Sequence, residues 1–164
     1  MPNEPPKVYI DSCAYISCIQ EDVGRHETVS AVVEQAKSGE IVIVASTLII
    51  AEVVKLDHLS EQGVDIAEQA ERIRLFFEND YIKFRAVDRR IAEEAAAISR
   101  QHRIKPPDAI HLATALQCGC TSFQTYDGED GGNRRLLGFD GVIGSPPLKI
   151  EVPRVMGDDQ PGLF

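Results

Sequence analysis

Two short apolar runs constrain this chain more than any other feature. Lys7 to Asp11 reads KVYID and Ile41 to Ala45 reads IVIVA; both are strand-forming, and neither behaves like a strand with one wet face. A strand with one wet face alternates with period two, whereas a run that stays apolar is covered on both faces, as in a parallel sheet. Each run leads directly into a helix signal. Ser12–Ile19 follows the first run, and Ser46 and Thr47, good caps, introduce a helix over Leu48–Leu56 after the second.

The same alternation continues along the chain. Residues 1–6 are a loose lead-in with three prolines. Gly24 breaks the first helix, and Glu27–Lys37 forms the next, with Val29, Val32, Val33 and Ala36 on one face and Ser38-Gly39 as its stop. A long helix is expected over Val64–Glu78 and a strand over Tyr81–Val87, after which Asp88 caps a helix over Arg89–His102. Thr121–Thr125 is a further strand, and Gly141–Ile143 is the expected last one. Such an order predicts an α/β sandwich around a mainly parallel sheet. One domain is expected over residues 1–145, and Pro146, Pro147, Pro153 and Pro161 mark 146–164 as an extended or partly disordered tail.

With 164 residues, 43% of them hydrophobic and 26% charged, the chain can bury a full core. No apolar run approaches the ~20 residues of a membrane span. The start, MPNEPPKVYID, lacks the basic and apolar segments of a signal peptide, so a cytoplasmic protein is expected. There Cys13, Cys18, Cys118 and Cys120 read as free thiols, because Cys118-Gly-Cys120 is a poor zinc spacing. A net charge of −9 argues against nonspecific coating of nucleic acid. It does not exclude a nuclease whose acids hold a cation.

The chemistry gathers around Lys105–Leu116, KPPDAIHLATAL. Pro106 disfavours a helical Lys105, and Pro107 suits a first turn that needs no N–H. Asp108 then faces the positive end of the helix dipole, where alone it would read as ordinary capping. Its company changes that reading. Asp11 ends the first strand, Asp127 follows the Thr121–Thr125 strand, and Glu52 lies early in the helix leaving the second strand. The carboxyl ends of parallel strands line the ligand crevice, so Asp11, Glu52, Asp108 and Asp127 are expected at one edge. Four crowded acids repel, so some hold protons or a cation binds. An oxygen-only donor set favours Mg²⁺ or Mn²⁺ over zinc.

In order and spacing, VYIDS, STLIIAE, KPPDAIHLATA and FQTYD resemble the motifs of PIN-domain ribonucleases, especially the VapC-type toxins of toxin–antitoxin pairs. The resemblance runs from about Val8 to Ile143, and its most specific part is the D-A-x-x-x-A-T-A element beginning at Asp108. It implies a three-layer α/β/α fold and dependence on Mg²⁺ or Mn²⁺. It also implies cleavage of single-stranded RNA or RNA loops to 5′-phosphate and 3′-hydroxyl ends, and an antitoxin partner. Carried over by motif, Asp11, Glu52, Asp108 and Asp127 form the catalytic and metal-binding set, supported by Ser12, Ser46 or Thr125. Two departures stand out. The segment GEDGGNRRLLGFDGV is longer and richer in glycine than the family's, which leaves open whether Asp130 replaces or assists Asp127; the proline-rich tail is additional.

His111, one turn after Asp108, reads as a hydrogen-bonded core histidine outside the catalytic set. Arg100, His102, Arg103 and Lys105, and likewise Arg134 and Arg135, either guide a phosphate backbone or are solvated charges. The leading expectation is a metal-dependent endoribonuclease, the toxin of a pair. The alternative is a catalytically idle PIN-like module that binds RNA or protein. A small-molecule phosphohydrolase has little support, because no phosphate-cradling glycine loop follows the first strand. Apolar faces of Ser12–Ile19 and Thr47–Leu56 are the expected seat of an antitoxin segment whose arginine or lysine reaches the acids; completing the core or making a homodimer contact is their other expected use, at nearly equal weight.

Overall fold

A computed structural model describes residues 3–131 and 135–157. β1 (Lys7–Ile10) lies in the middle of the sheet, and its Val8, Tyr9 and Ile10 are completely buried, as a run covered on both faces requires. The other strands are β2 (Val42–Ser46), β3 (Ile82–Arg85), β4 (Ser122–Gln124) and β5 (Lys149–Glu151). Their order is β3-β2-β1-β4-β5, with every pairing parallel. Tyr9 stands opposite Val44 on one side and Phe123 on the other.

α1 (Ser12–Ile19) and α2 (Arg25–Lys37) connect β1 to β2; α3 (Leu48–Glu52), α4 (Asp57–Glu61) and α5 (Ile66–Phe77) connect β2 to β3. α6 (Arg89–His102) and α7 (Pro106–Gln117) carry the chain back across the sheet to β4. Right-handed crossovers place helices on opposite faces when the direction of travel reverses. Accordingly α1 packs on α2 and α5, while α6 packs on α7 and α7 on the sheet. The result is a three-layer α/β/α sandwich. The reversal of strand order lies between β1 and β4, and a crevice opens at their carboxyl ends.

The helix after β2 ends at Glu52 instead of Leu56: Val53 leaves helical geometry, and the Leu56 N–H is taken by Gln69 Oε1 at 3.0 Å. The buried Gln69 amide also donates to Ser60 Oγ and the Val64 carbonyl, so the expected 64–78 helix starts only at Ile66, capped by Asp65. Gly141–Ile143 is a turn, and the last strand comes later, inside the segment that its prolines mark as a tail. There β5 supplies the partner that β4 needs. The Thr125 N–H donates to the Glu151 carbonyl at 3.0 Å, and Ser122 Oγ donates to the Glu151 carboxylate at 2.7 Å. Prolines are compatible because they flank a short edge strand. Beyond it Gln35 receives the Met156 N–H and donates to the Met156 carbonyl, both at 2.9 Å. Arg134, part of the 128–133 loop and the tail end with Pro161 lie outside the described residues. All four cysteines are free, and no helix among the described residues is long and apolar enough to cross a membrane.

Candidate functional site

Asp11 caps α1 directly after β1, its Oδ1 accepting from the Ser12 N–H at 2.8 Å. Because β4 lies beside β1, Thr125 falls next to Asp11 and donates from Oγ1 to Oδ2 at 2.9 Å. The same hydroxyl accepts from the Asp127 N–H at 3.0 Å, so one side chain links the two acids. The Asp127 carboxylate is held by the Leu136 N–H and by Arg135 Nη1, each at 3.0 Å. Asp108 stands in the first turn of α7, where Pro106 and Pro107 occupy the positions that need no N–H. Asp11, Asp108 and Asp127 line one cleft of about 450 Å³, with Arg103, Lys105 and Arg135 beside them.

Asp127 is relieved by its ion pair with Arg135, and the strain falls on Asp108 and Asp11. Burial, then the charges of Asp11 and Asp127, push the Asp108 carboxyl up to about 6. Burial raises Asp11 too, against the pull of His111 and the hydrogen bonds from Thr125 and Ser12. Cys13 Sγ sits 3.4 Å from Thr125 Oγ1 and 3.3 Å from the Tyr126 N–H that donates to it. Burial and the neighbouring Asp11 push this thiol up to about 12, so it stays protonated in the lining of the cleft.

Glu52 stands apart from the cleft lining. Its Oε2 is 2.7 Å from His111 Nε2, and His111 Nδ1 is 2.6 Å from the Tyr9 hydroxyl. Burial works against a charged His111, but the Glu52 hydrogen bond and the charges of Asp11, Glu52 and Asp108 outweigh it and raise its pKa. His111 is a core histidine, as its helix position suggests, yet its partner is one of the four acids. Tyr9 and Cys13 carry no sequence signal beyond their neighbourhood to Asp11.

The remaining candidates separate clearly. Asp130 is exposed, and Asp127 is the acid that lines the cleft. Ser46 serves the neighbourhood of Glu52: its Oγ accepts from the Leu48 N–H at 3.1 Å, and its N–H donates to the Tyr9 hydroxyl. Of the basic cluster, Arg103 and Lys105 border the cleft, whereas His102 packs edge-on against Phe139. Of the two expected apolar faces, α1 turns inward, with Ala14, Tyr15, Cys18 and Ile19 buried. The face after β2 is open: Ile50 is 51% and Val54 66% exposed, beside a groove of about 400 Å³ shared with Ile73 and Phe77 of α5.

Among the described residues, no three His, Cys, Asp or Glu side chains form a ready-made metal cage. Mg²⁺ keeps several waters and is commonly held by one or two carboxylates. The cleft offers three carboxylates as oxygen donors of that kind, with Arg103, Lys105 and Arg135 beside them.

The family profile of the PIN domain matches residues 8–129, from the start of β1 to just past Asp127. The chain belongs to the PIN-domain family. Among solved structures, the VapC20 toxin of Mycobacterium tuberculosis, described as cleaving the sarcin–ricin loop, superposes with a TM-score of 0.58 at 16% identity, over 76% of this chain and 92% of that one. A toxin–antitoxin complex from Klebsiella pneumoniae gives 0.51 at 22% identity, over 77% and 91%. VapBC2 of Rickettsia felis, solved with a promoter DNA fragment, gives 0.55 at 10% identity, over 76% and 91%. These similarities establish a common fold. No curated protein sequence matches the chain significantly.

Proposed function

We propose that this PIN-domain protein is a Mg²⁺- or Mn²⁺-dependent endoribonuclease and the toxin of a toxin–antitoxin pair. The observation that carries this reading is the meeting of Asp11, Asp108 and Asp127 in one cleft at the strand ends. When bound, the cation supplies positive charge to the phosphate and a more acidic water as nucleophile. Asp11 and Asp108 are the residues to hold it, with Asp127 completing the set and Glu52 acting from the side as ligand or water-orienting base. Arg103 and Lys105 bind flanking phosphates and fix the register of the RNA. Thr125 keeps Asp11 and Asp127 in mutual register through its single hydroxyl.

Fold similarity to toxins solved with their antitoxins supports a protein partner. So does the open groove between α3 and α5, which suits an apolar segment, with an arginine or lysine reaching the acids from it. The deciding experiment is cleavage of a single-stranded RNA by EDTA-stripped protein with and without Mg²⁺ or Mn²⁺, beside Asp11→Asn. Metal-restored cleavage that the variant lacks is expected. The alternative, an idle binding module, draws on the closure of Asp127 by Arg135, and it predicts no cleavage with any metal.

A further inference from the structure

We propose that His111 is the positioning residue for Glu52, and that Tyr9 in turn orients His111. The proposal rests on the reading of the acids as a cation site. His111 is completely buried and lies between the two partners, with its Nε2 2.7 Å from Glu52 and its Nδ1 2.6 Å from the Tyr9 hydroxyl. That hydroxyl accepts from the Ser46 N–H at 3.0 Å, so its own hydrogen is free to point at Nδ1. With Nδ1 accepting, the ring hydrogen is on Nε2, aimed at the Glu52 carboxylate. A second ring proton would leave that hydrogen in place, so Glu52 faces a donor in either state.

Glu52 needs such a tether more than the other acids do. Asp11 and Asp127 are held by backbone N–H groups at strand ends and linked through Thr125, and Asp108 sits on a short side chain in the first turn of a 12-residue helix. Glu52 ends a helix of only five residues, its side chain is 26% exposed, and its charge raises the pKa of both Asp11 and Asp108. Mutual repulsion drives it towards solvent, and the hydrogen bond from His111 opposes that. The far end of the chain of bonds is rigid: the Tyr9 ring stacks on Phe123 with centroids 5.0 Å apart. Thus β1 delivers Asp11 through its backbone and anchors Glu52 through Tyr9, two residues earlier.

The test uses the full chain, Mn²⁺ alone and calorimetric titration. His111→Leu removes the donor at similar bulk and should weaken Mn²⁺ binding roughly 10- to 100-fold, the usual cost of losing a group that orients a ligand. His111→Gln, whose amide reaches a similar position, should restore most of the affinity, and Glu52→Gln combined with His111→Leu should lose no more than Glu52→Gln alone. In metal-free protein, long-range ¹H–¹⁵N spectra should show an Nε2 hydrogen protected from exchange, with protection lost in Glu52→Ala. Wild-type Mn²⁺ affinity in folded His111→Leu, additive losses in the double variant, or an Nε2 without hydrogen would overturn the proposal. Where His111→Leu does not fold, Tyr9→Phe takes its place; unchanged affinity together with unchanged Nε2 protection then overturns it. A protein that binds no Mn²⁺ yet shows its Nε2 hydrogen held by Glu52 overturns the metal reading and supports the tether.

Discussion

The acidic cleft and the apolar groove share no lining residue, and each is unfinished in a different way. In the cleft the charges of Asp11 and Asp127 add to burial in raising the Asp108 carboxyl, and its strain is electrostatic. The groove leaves Ile50 and Val54 in water beside Ile73 and Phe77, and its cost is hydrophobic. A protein that carries both has given up stability at two places, each of which a different kind of partner relieves. In the function proposed above, cations answer the first and an apolar chain segment the second, so the two sites should be separable by mutation.

The largest expected effect breaks the cleft. Asp11→Asn should reduce metal-dependent RNA cleavage at least ~100-fold, since even groups that only orient metal ligands commonly cost 10- to 100-fold. The same variant should lose most of the rise in melting temperature that millimolar Mg²⁺ gives the wild type, because the cation binds the folded state alone. Full cleavage by the folded variant would falsify the assignment of the site.

Changing the groove instead should leave cleavage intact. Ile50→Ser with Val54→Ser removes two apolar side chains that a partner would cover, each worth about 1.5 kcal/mol or more. Affinity for the partner recovered from the native host should fall about 100-fold by titration, with RNA cleavage by the free protein unchanged. Equal affinity of variant and wild type would separate the groove from partner binding.

A subtler effect tests the electrostatic half. Asp108 titrates near 6 when folded, against an ordinary value of 3.8. Below 3.8 both states hold the proton and Asp108 costs nothing. As the pH rises, the unfolded chain releases its proton first, so a penalty grows until about 6 and then stays constant. After discounting for partial exposure, it amounts to about 2 kcal/mol. Asp108→Asn should therefore be more stable than wild type at pH 7 in metal-free buffer, by denaturant titration, and the gap should close near pH 4. A gap independent of pH would show that the charge is relieved in some other way.

The smallest effect concerns the rim. Arg103→Ala or Lys105→Ala should raise the KM for RNA a few-fold at low salt, with kcat little changed and the difference fading as salt increases. An effect on kcat of the size seen for Asp11→Asn would move these cations from the rim into the chemistry.

Local sequence signals are enough to dictate the central features of this protein. Runs without polar alternation dictate a parallel sheet covered on both faces, and paired prolines before Asp108 dictate where α7 starts. Strand ends dictate that Asp11 and Asp127 meet at one edge, because side-chain placement there follows from the backbone path alone. Other features come from long-range packing. Whether the proline-flanked 149–151 segment is tail or strand depends on the open edge of β4, to which no local signal points. The end of α3 depends on Gln69, a buried amide 13 residues beyond the Leu56 N–H that it captures. His111 meets Glu52 across 59 residues of chain and Tyr9 across 102, so its role is set by packing between layers. Periodicity and capping act over one or two helical turns; contacts between distant segments exist only after the sheet has brought them together.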